Sequence, residues 1–337
     1  MDSPEISFDF KSAKKPFSRI GIALVLFFAA TFTAQEIIVL AANALLPEWL
    51  SGITYTEVLI ISQVTMYLIG LPIFYLAVRR LDKEPPAKMH CSAKTVGTAF
   101  LIAMALTYIG QIIGEFVFSL LYDTLDIAFT SDTFEIINNI TWYEALISTV
   151  IIGPLVEEFM FRKVIIDRTR MYGEKLSLIF SALMFAFFHM SVEQFFYAFF
   201  AGLLLGYLYL RRGKLLYCWI LHALFNFFGA VLPIILYNFV DMEAFLSAAT
   251  AEEMYKLIND DILGYGLISL FSLATMAMSV IGFYLLLKKY KSRRFEEVSL
   301  KLPKDSEATV AFTNVGVILF VLFAIAYPFI TSFIKQL

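Results

Sequence analysis

The residues best suited to chemistry lie in three short motifs between positions 154 and 226. Two adjacent carboxylates, Glu157 and Glu158, stand in a long apolar stretch. An ionisable side chain inside a membrane costs at least about 2.5 kcal/mol on insertion scales, so such a group usually has a partner or a function. Arg162 follows Glu158 by four residues, which places both on one helix face, where they can form an ion pair.

Two of the three histidines in the chain lie in later apolar stretches of the same region. His189 closes the motif that begins at Phe185, and His222 precedes Asn226 by four residues, on one helix face. Each polar residue taken singly also fits a structural role, because intramembrane His and Asn commonly join helices by hydrogen bonds. Together with Glu157 they form a set that can activate water and stabilise an oxyanion.

Two helical hairpins would bring these residues together. Gly173 lies 16 residues after Glu157 and 16 before His189, so a turn at this glycine places the carboxylate and the imidazole at a similar depth. A second turn at Gly213 precedes His222 by nine residues. The sequence therefore predicts one polar site, built from separate stretches of chain, inside a helical bundle.

The composition indicates an all-α, polytopic transmembrane helical bundle. The chain has 337 residues, 60% of them hydrophobic, and a mean hydropathy of +0.76. Because a span needs roughly 20 apolar residues, we expect about eight to nine spans. The candidates are 20–46, 56–78, 96–121, 142–170, 175–190, 194–210, 215–238, 262–287 and 309–333.

The basic residues predict the orientation of this bundle. All Lys and Arg residues except Lys256 and Lys335 fall in segments that would share one side of the membrane with the N-terminus. The loops assigned to the opposite side are acidic. Because basic loops stay in the cytoplasm, we expect a cytoplasmic N-terminus and an external C-terminus, in a bacterial cell membrane.

The predicted spans and charges divide the chain into four parts. A cytoplasmic N-terminal tail (1–19) precedes a helical core (20–290), a cytoplasmic linker (291–308) and an additional C-terminal transmembrane span (309–337). The two cysteines, Cys91 and Cys218, suggest no disulfide framework. No phosphate-binding or nucleic-acid-binding motif occurs, so the expected partners are the lipid bilayer and a peptide or membrane-protein substrate.

The three motifs resemble those of the CPBP family, the CAAX proteases and bacteriocin-processing enzymes, which is also called the Abi family. The family pattern EExxxR, FxxxH and HxxxN/D stands here as Glu157-Glu158-xxx-Arg162, Phe185-xxx-His189 and His222-xxx-Asn226. The resemblance covers about residues 140–235. It implies an intramembrane endopeptidase with a core of about eight spans. Eukaryotic members remove three residues from prenylated CAAX proteins, and bacterial relatives are linked to peptide maturation, bacteriocin self-immunity and cell-surface display.

The resemblance also implies roles for the site residues. Glu157 would be the base that activates water, and His189 would hold that water and pass its proton on. His222 and Asn226 would donate hydrogen bonds to the tetrahedral oxyanion. Glu158, held by Arg162, would orient these groups.

Other readings of the same residues stay open. Family names include metalloprotease, and Glu157, His189 and His222 would supply three zinc ligands, with Glu158 as the base. The common helical HExxH zinc motif is absent. A membrane scaffold or a bacteriocin self-immunity protein could keep the same residues without proteolysis. A proton-coupled carrier would predict repeated halves, and the sequence has no such repeat.

Overall fold

The computed structural model describes residues 9–45, 55–125, 140–290 and 295–336. Within these ranges every regular element is helical, and the predicted all-α polytopic bundle is confirmed. Positions 1–8 of the predicted tail and 291–294 of the predicted linker lie outside the described residues. In the first half of the chain the α-helices are α1 (Phe10–Leu45), α2 (Tyr55–Thr65), α3 (Leu71–Val78), α4 (Ala93–Leu125), α5 (Trp142–Ala145), α6 (Gly153–Glu158) and α7 (Asp167–Thr169).

In the second half of the chain the structure describes nine further α-helices. They are α8 (Glu174–Phe188), α9 (Val192–Arg212), α10 (Leu215–Asn226), α11 (Leu232–Tyr237), α12 (Met242–Ser247), α13 (Ala251–Asp260), α14 (Ile262–Tyr290), α15 (Lys304–Phe312) and α16 (Val315–Gln336). Four π-helical stretches join α-helices end to end, at Met66–Gly70, Leu146–Ile152, Phe159–Ile166 and Phe227–Val231. Such wide turns often occur at functional sites.

Seven helices in the described parts of the chain are long and apolar enough to cross a membrane. The two remaining predicted spans, 142–170 and 175–190, have a different form. The first is one long helical segment divided by two π-helical stretches. The second is α8, which has only 15 residues and is therefore about 22 Å long, shorter than a hydrocarbon core of about 30 Å.

The centre of the bundle is the short helix α8. Its residues Phe180, Met184 and Phe185 are almost fully buried, as expected for a helix that is apolar on every side. α9 packs between α8 and α4, and α14 packs on the outer side of α4. The first and last membrane helices, α1 and α16, pack against each other and close the opposite side of α8.

Close backbone contact joins α1 to α16. A side chain at Gly316 would place its Cβ 1.8 Å from the carbonyl oxygen of Ser18, and one at Gly21 would lie 2.3 Å from the carbonyl carbon of Gly316. Membrane helices associate through such small-residue contacts, because lipid provides no hydrophobic drive between them. Phe320 of α16 is buried in the same apolar cluster as α8, so this last helix supports the site region directly.

Both predicted turns form at glycines with positive φ. Gly173 has φ of +147° and starts α8, while Gly213 has φ of +63° between α9 and α10. The Gly173 turn is held in place by Arg170, which donates hydrogen bonds to Glu84, Glu174 and Glu296. The end of the bundle that carries this turn is therefore fixed by a network of ion pairs centred on the buried Arg170 and Glu174.

Candidate active site

Three helical segments meet at the predicted site residues. The segment that runs from α5 to α7 carries both glutamates and Arg162, the C-terminal end of α8 carries His189, and α10 carries His222 and Asn226. Phe185, which begins the second motif, lies between them. Its ring packs edge-on against His189 and His222, with centroids 4.8 and 5.9 Å apart. The structure thus brings the three motifs to one place.

A chain of charged groups runs through the centre of this site. Arg162 Nε lies 3.0 Å from Glu158 Oε2, and His222 Nδ1 donates a hydrogen bond of 2.9 Å to Glu158 Oε1. The other ring nitrogen, His222 Nε2, lies 3.6 Å from Glu157 Oε2. Glu158 therefore joins the guanidinium to the imidazole, and the imidazole faces the second carboxylate.

The two glutamates in this series of charged groups differ in how deeply their side chains are buried. The side chains of Glu158 and Arg162 are 0% exposed, and that of His222 is also buried. The Glu157 side chain is 23% exposed. Two fully buried charges need each other, whereas Glu157 is the more accessible of the two carboxylates.

The contact between Arg162 and Glu158 is an ion pair without hydrogen-bond geometry. The two charged atoms touch at 3.0 Å, but the N–H of Arg162 does not point along the line between them. Its guanidinium carbon lies 4.8 Å from the centroid of the Phe185 ring. The ring face supplies a cation–π contact that helps to hold the buried cation.

His189 lies at the tight turn between α8 and α9. Its Nδ1 donates a hydrogen bond of 2.8 Å to the Phe185 carbonyl, and Nε2 has no hydrogen-bond partner among the residues that the structure describes. The next residue, Met190, has φ of +48°, a left-handed conformation that is strained for a methionine. Among the described residues no hydrogen bond or ion pair joins His189 to Glu157. The imidazole nearest to Glu157 is that of His222.

Asn226 is held by the π-helical stretch Leu146–Ile152. Its Nδ2 donates a hydrogen bond of 2.7 Å to the carbonyl of Thr149, and Trp219 of the same helix donates one of 3.0 Å to the carbonyl of Ile151. Two carbonyl oxygens of this π-helical stretch thus accept hydrogen bonds from side chains of α10. These bonds fix α10, and with it His222, against the helix that carries the glutamates.

A comparison with protein families adds evidence of a different kind. Residues 139–228 match the family model described as type II CAAX prenyl endopeptidase Rce1-like. This segment of the chain is similar to that family. The resemblance to the CPBP and CAAX proteases is confirmed, and all six predicted site residues fall within the matched range. None of the curated proteins or solved structures that were compared matches the chain.

A helix outside the Rce1-like segment also reaches the site. A Cβ placed on Gly153 would lie 3.7 Å from the hydroxyl oxygen of Tyr67 and 3.9 Å from Glu157 Oε1. Tyr67 therefore borders the same small space as the exposed carboxylate. No motif in the sequence marks Tyr67, and the only local signal is a glycine one helical turn before Glu157.

The arrangement of donors bears on the zinc hypothesis. In the part of the chain that the structure describes, no three His, Cys, Asp or Glu side chains converge on a point that could hold a metal ion. His222 Nε2 lies 3.6 Å from Glu157 Oε2, but among the described residues His189 forms no hydrogen bond or ion pair with either of them. Glu157, His189 and His222 as arranged do not fit the three-ligand set of a catalytic zinc site.

Proposed function

We propose that this Rce1-like protein is an intramembrane endopeptidase in which Glu157 activates the water that attacks a peptide bond. The observation that supports this most is the chain from Arg162 through Glu158 and His222 to Glu157. It places one partly exposed carboxylate at the end of a buried, ordered set of charges. A base needs this combination of access and fixed orientation.

His222 is the proposed proton-transfer partner of Glu157. The Nδ1–H group of His222 donates its hydrogen bond to Glu158. The ring is therefore oriented with Nε2 towards the Glu157 carboxylate. Two groups that both accept protons, 3.6 Å apart, are stable together when a proton or a water molecule lies between them. Glu157 takes the proton of the attacking water, shares it with His222, and returns it to the leaving amine. The family resemblance implies this role for His189 instead.

His189 and Asn226 have supporting roles in this proposal. His189 Nδ1 is bonded to the Phe185 carbonyl, so its Nε2 can hold water or substrate in the site. Asn226 donates one amide hydrogen to Thr149 and keeps a second for the oxyanion. Arg162 and Glu158 orient His222 and do not touch the substrate.

The family description points to a prenylated substrate with a C-terminal CAAX sequence, presented from the lipid. We expect the purified protein in lipid to release the last three residues of a farnesylated CAAX peptide, as measured by mass spectrometry. The matched control is the same peptide without the farnesyl group, which we expect to be cleaved poorly. Equal cleavage of both peptides would remove the prenyl preference, and cleavage of neither would contradict this function.

We propose that the protein lies in a bacterial cell membrane. The distribution of basic residues supports a cytoplasmic N-terminus and an external C-terminus. A reporter fused after Leu337 is expected to be active only outside the cell, and one fused at Lys301 only in the cytoplasm. Paired alkaline phosphatase and fluorescent-protein fusions measure this directly. The reverse pattern at either position would show that the orientation is wrong.

A further inference from the structure

The segment from α2 to α3 lies beside the helix that carries the glutamates, although it is outside the Rce1-like segment. Three contacts hold the two helices side by side: Tyr67 with Gly153, Tyr75 with Phe159, and Val78 with Arg168. Each contact lies further along both helices than the one before, so the helices run in the same direction. This register keeps Tyr67 at the level of Glu157.

The missing side chain of Gly153 leaves a narrow gap bordered by Tyr67, Glu157 and the carbonyl oxygen of Ser148, which would lie 2.9 Å from a Cβ at this position. The position that a Cβ would occupy there is 3.7 Å from the Tyr67 hydroxyl and 3.9 Å from Glu157 Oε1, so both oxygens face the same space. The other oxygen of this carboxylate, Oε2, faces His222. The carboxylate therefore has a histidine on one side and a phenol on the other.

The Tyr67 hydroxyl differs from the other donors of the site in its hydrogen bonding. His222 Nδ1, His189 Nδ1 and Asn226 Nδ2 each give a hydrogen bond to a protein oxygen. In the described residues the half-buried Tyr67 has no hydrogen-bond partner for its hydroxyl. A phenol is also neutral, so placing it beside a membrane-embedded carboxylate adds no second charge to desolvate.

We infer that Tyr67 is a further catalytic residue, whose O–H donates a hydrogen bond to the oxygen of the scissile carbonyl as negative charge develops there. The inference rests on the proposed peptidase function. Water oxygen bonds to the carbonyl carbon, the carbonyl electron pair moves to oxygen, and the water proton goes to Glu157. Collapse of the intermediate breaks the C–N bond, and the amine leaves with that proton. Tyr67 is unchanged at the end.

The test compares Tyr67→Phe with Tyr75→Phe in the peptide cleavage assay. Both variants lose one hydroxyl and keep the ring, and both positions contact the same helix. Tyr67→Phe is expected to lower kcat by about 10²–10³-fold with little change in KM, because an oxyanion donor acts mainly in the transition state. Tyr75→Phe is expected to keep wild-type turnover.

A second measurement separates catalysis from packing. A peptide phosphonate, whose tetrahedral anionic centre imitates the intermediate, should bind Tyr67→Phe more weakly by about the same factor, while substrate binding is kept. Wild-type kcat in Tyr67→Phe, or a loss confined to KM, would overturn the role of Tyr67 while leaving the peptidase function intact. If the wild-type protein itself cleaves no peptide, the proposed function fails first and this inference falls with it.

Discussion

Replacing Glu157 with glutamine is expected to lower peptide turnover by about 10²–10⁴-fold and to leave the protein folded. The amide has the shape of the carboxylate but cannot accept the proton of the attacking water. Glu157 is 23% exposed, and the buried pair of Glu158 and Arg162 is untouched by the change. Removal of Glu157 therefore leaves no buried charge without a partner.

Initial rates at saturating peptide and thermal unfolding in the same detergent measure the two parts of this expectation. Glu144→Gln is the matched control, because Glu144 caps the start of the same helical segment and glutamine can serve in that capping box. The control should keep both rate and stability. A Glu157→Gln protein that cleaves at the wild-type rate would remove Glu157 from the mechanism and, with it, the assignment of this site.

Replacing Arg162 with alanine is expected to destabilise the protein by about 3–5 kcal/mol as well as to abolish activity. Glu158 is fully buried and would lose its countercharge, and the Phe185 ring would lose the cation that lies over it. Stability of this variant should fall because a buried carboxylate is left unpaired, a cost that the partly exposed Glu157 does not impose.

The informative comparison is a double variant, Glu158→Gln with Arg162→Met, in which both buried charges are absent. We expect it to unfold at a higher temperature than Arg162→Ala, because no unpaired ion remains and the methionine fills part of the vacated volume. It should still lack activity, since the amide no longer orients His222 as a carboxylate does. Equal stability of the single and double variants would show that the ion pair is not what Arg162 contributes.

Local spacing predicted the parts of this site that lie within one helix or one turn. The four-residue separation of Glu158 and Arg162 is enough to predict their ion pair. Turns at Gly173 and Gly213 follow from glycine at the ends of apolar stretches, and both glycines adopt positive φ. The motif order was sufficient to predict the family.

Which histidine faces Glu157 could not be predicted in this way. Depth estimates at 1.5 Å per residue assume a regular α-helix, whereas Phe159–Ile166 is π-helical between Glu157 and the Gly173 turn. Such a stretch changes both the rise and the direction of the side chains that precede it. The approach of His222 also depends on how α10 packs, which spacing along the chain does not encode.

Hydropathy likewise could not distinguish a lipid-facing span from a buried one. α8 is as apolar as its neighbours, but its 15 residues are enclosed by other helices rather than by lipid. The position of Tyr67 could not be predicted from the sequence either, because it lies beside Glu157 only through the packing of helices that are distant along the chain. A single tyrosine in an apolar stretch carries no sign of that pairing.

The contact of Gly21 with Gly316 has a consequence for the timing of assembly. The two glycines are separated by 295 residues of chain. At about 5–20 residues per second, the ribosome needs about 15–60 s to reach the second glycine after the first has been made. Throughout that interval the face of α1 that receives α16, including Phe28, remains open to lipid. Phe28 packs against both Phe188 at the end of α8 and Phe320 of α16. The wall beside His189 is therefore among the last parts of the molecule to form, so the nascent chain is expected to be proteolytically silent until α16 has entered the bilayer.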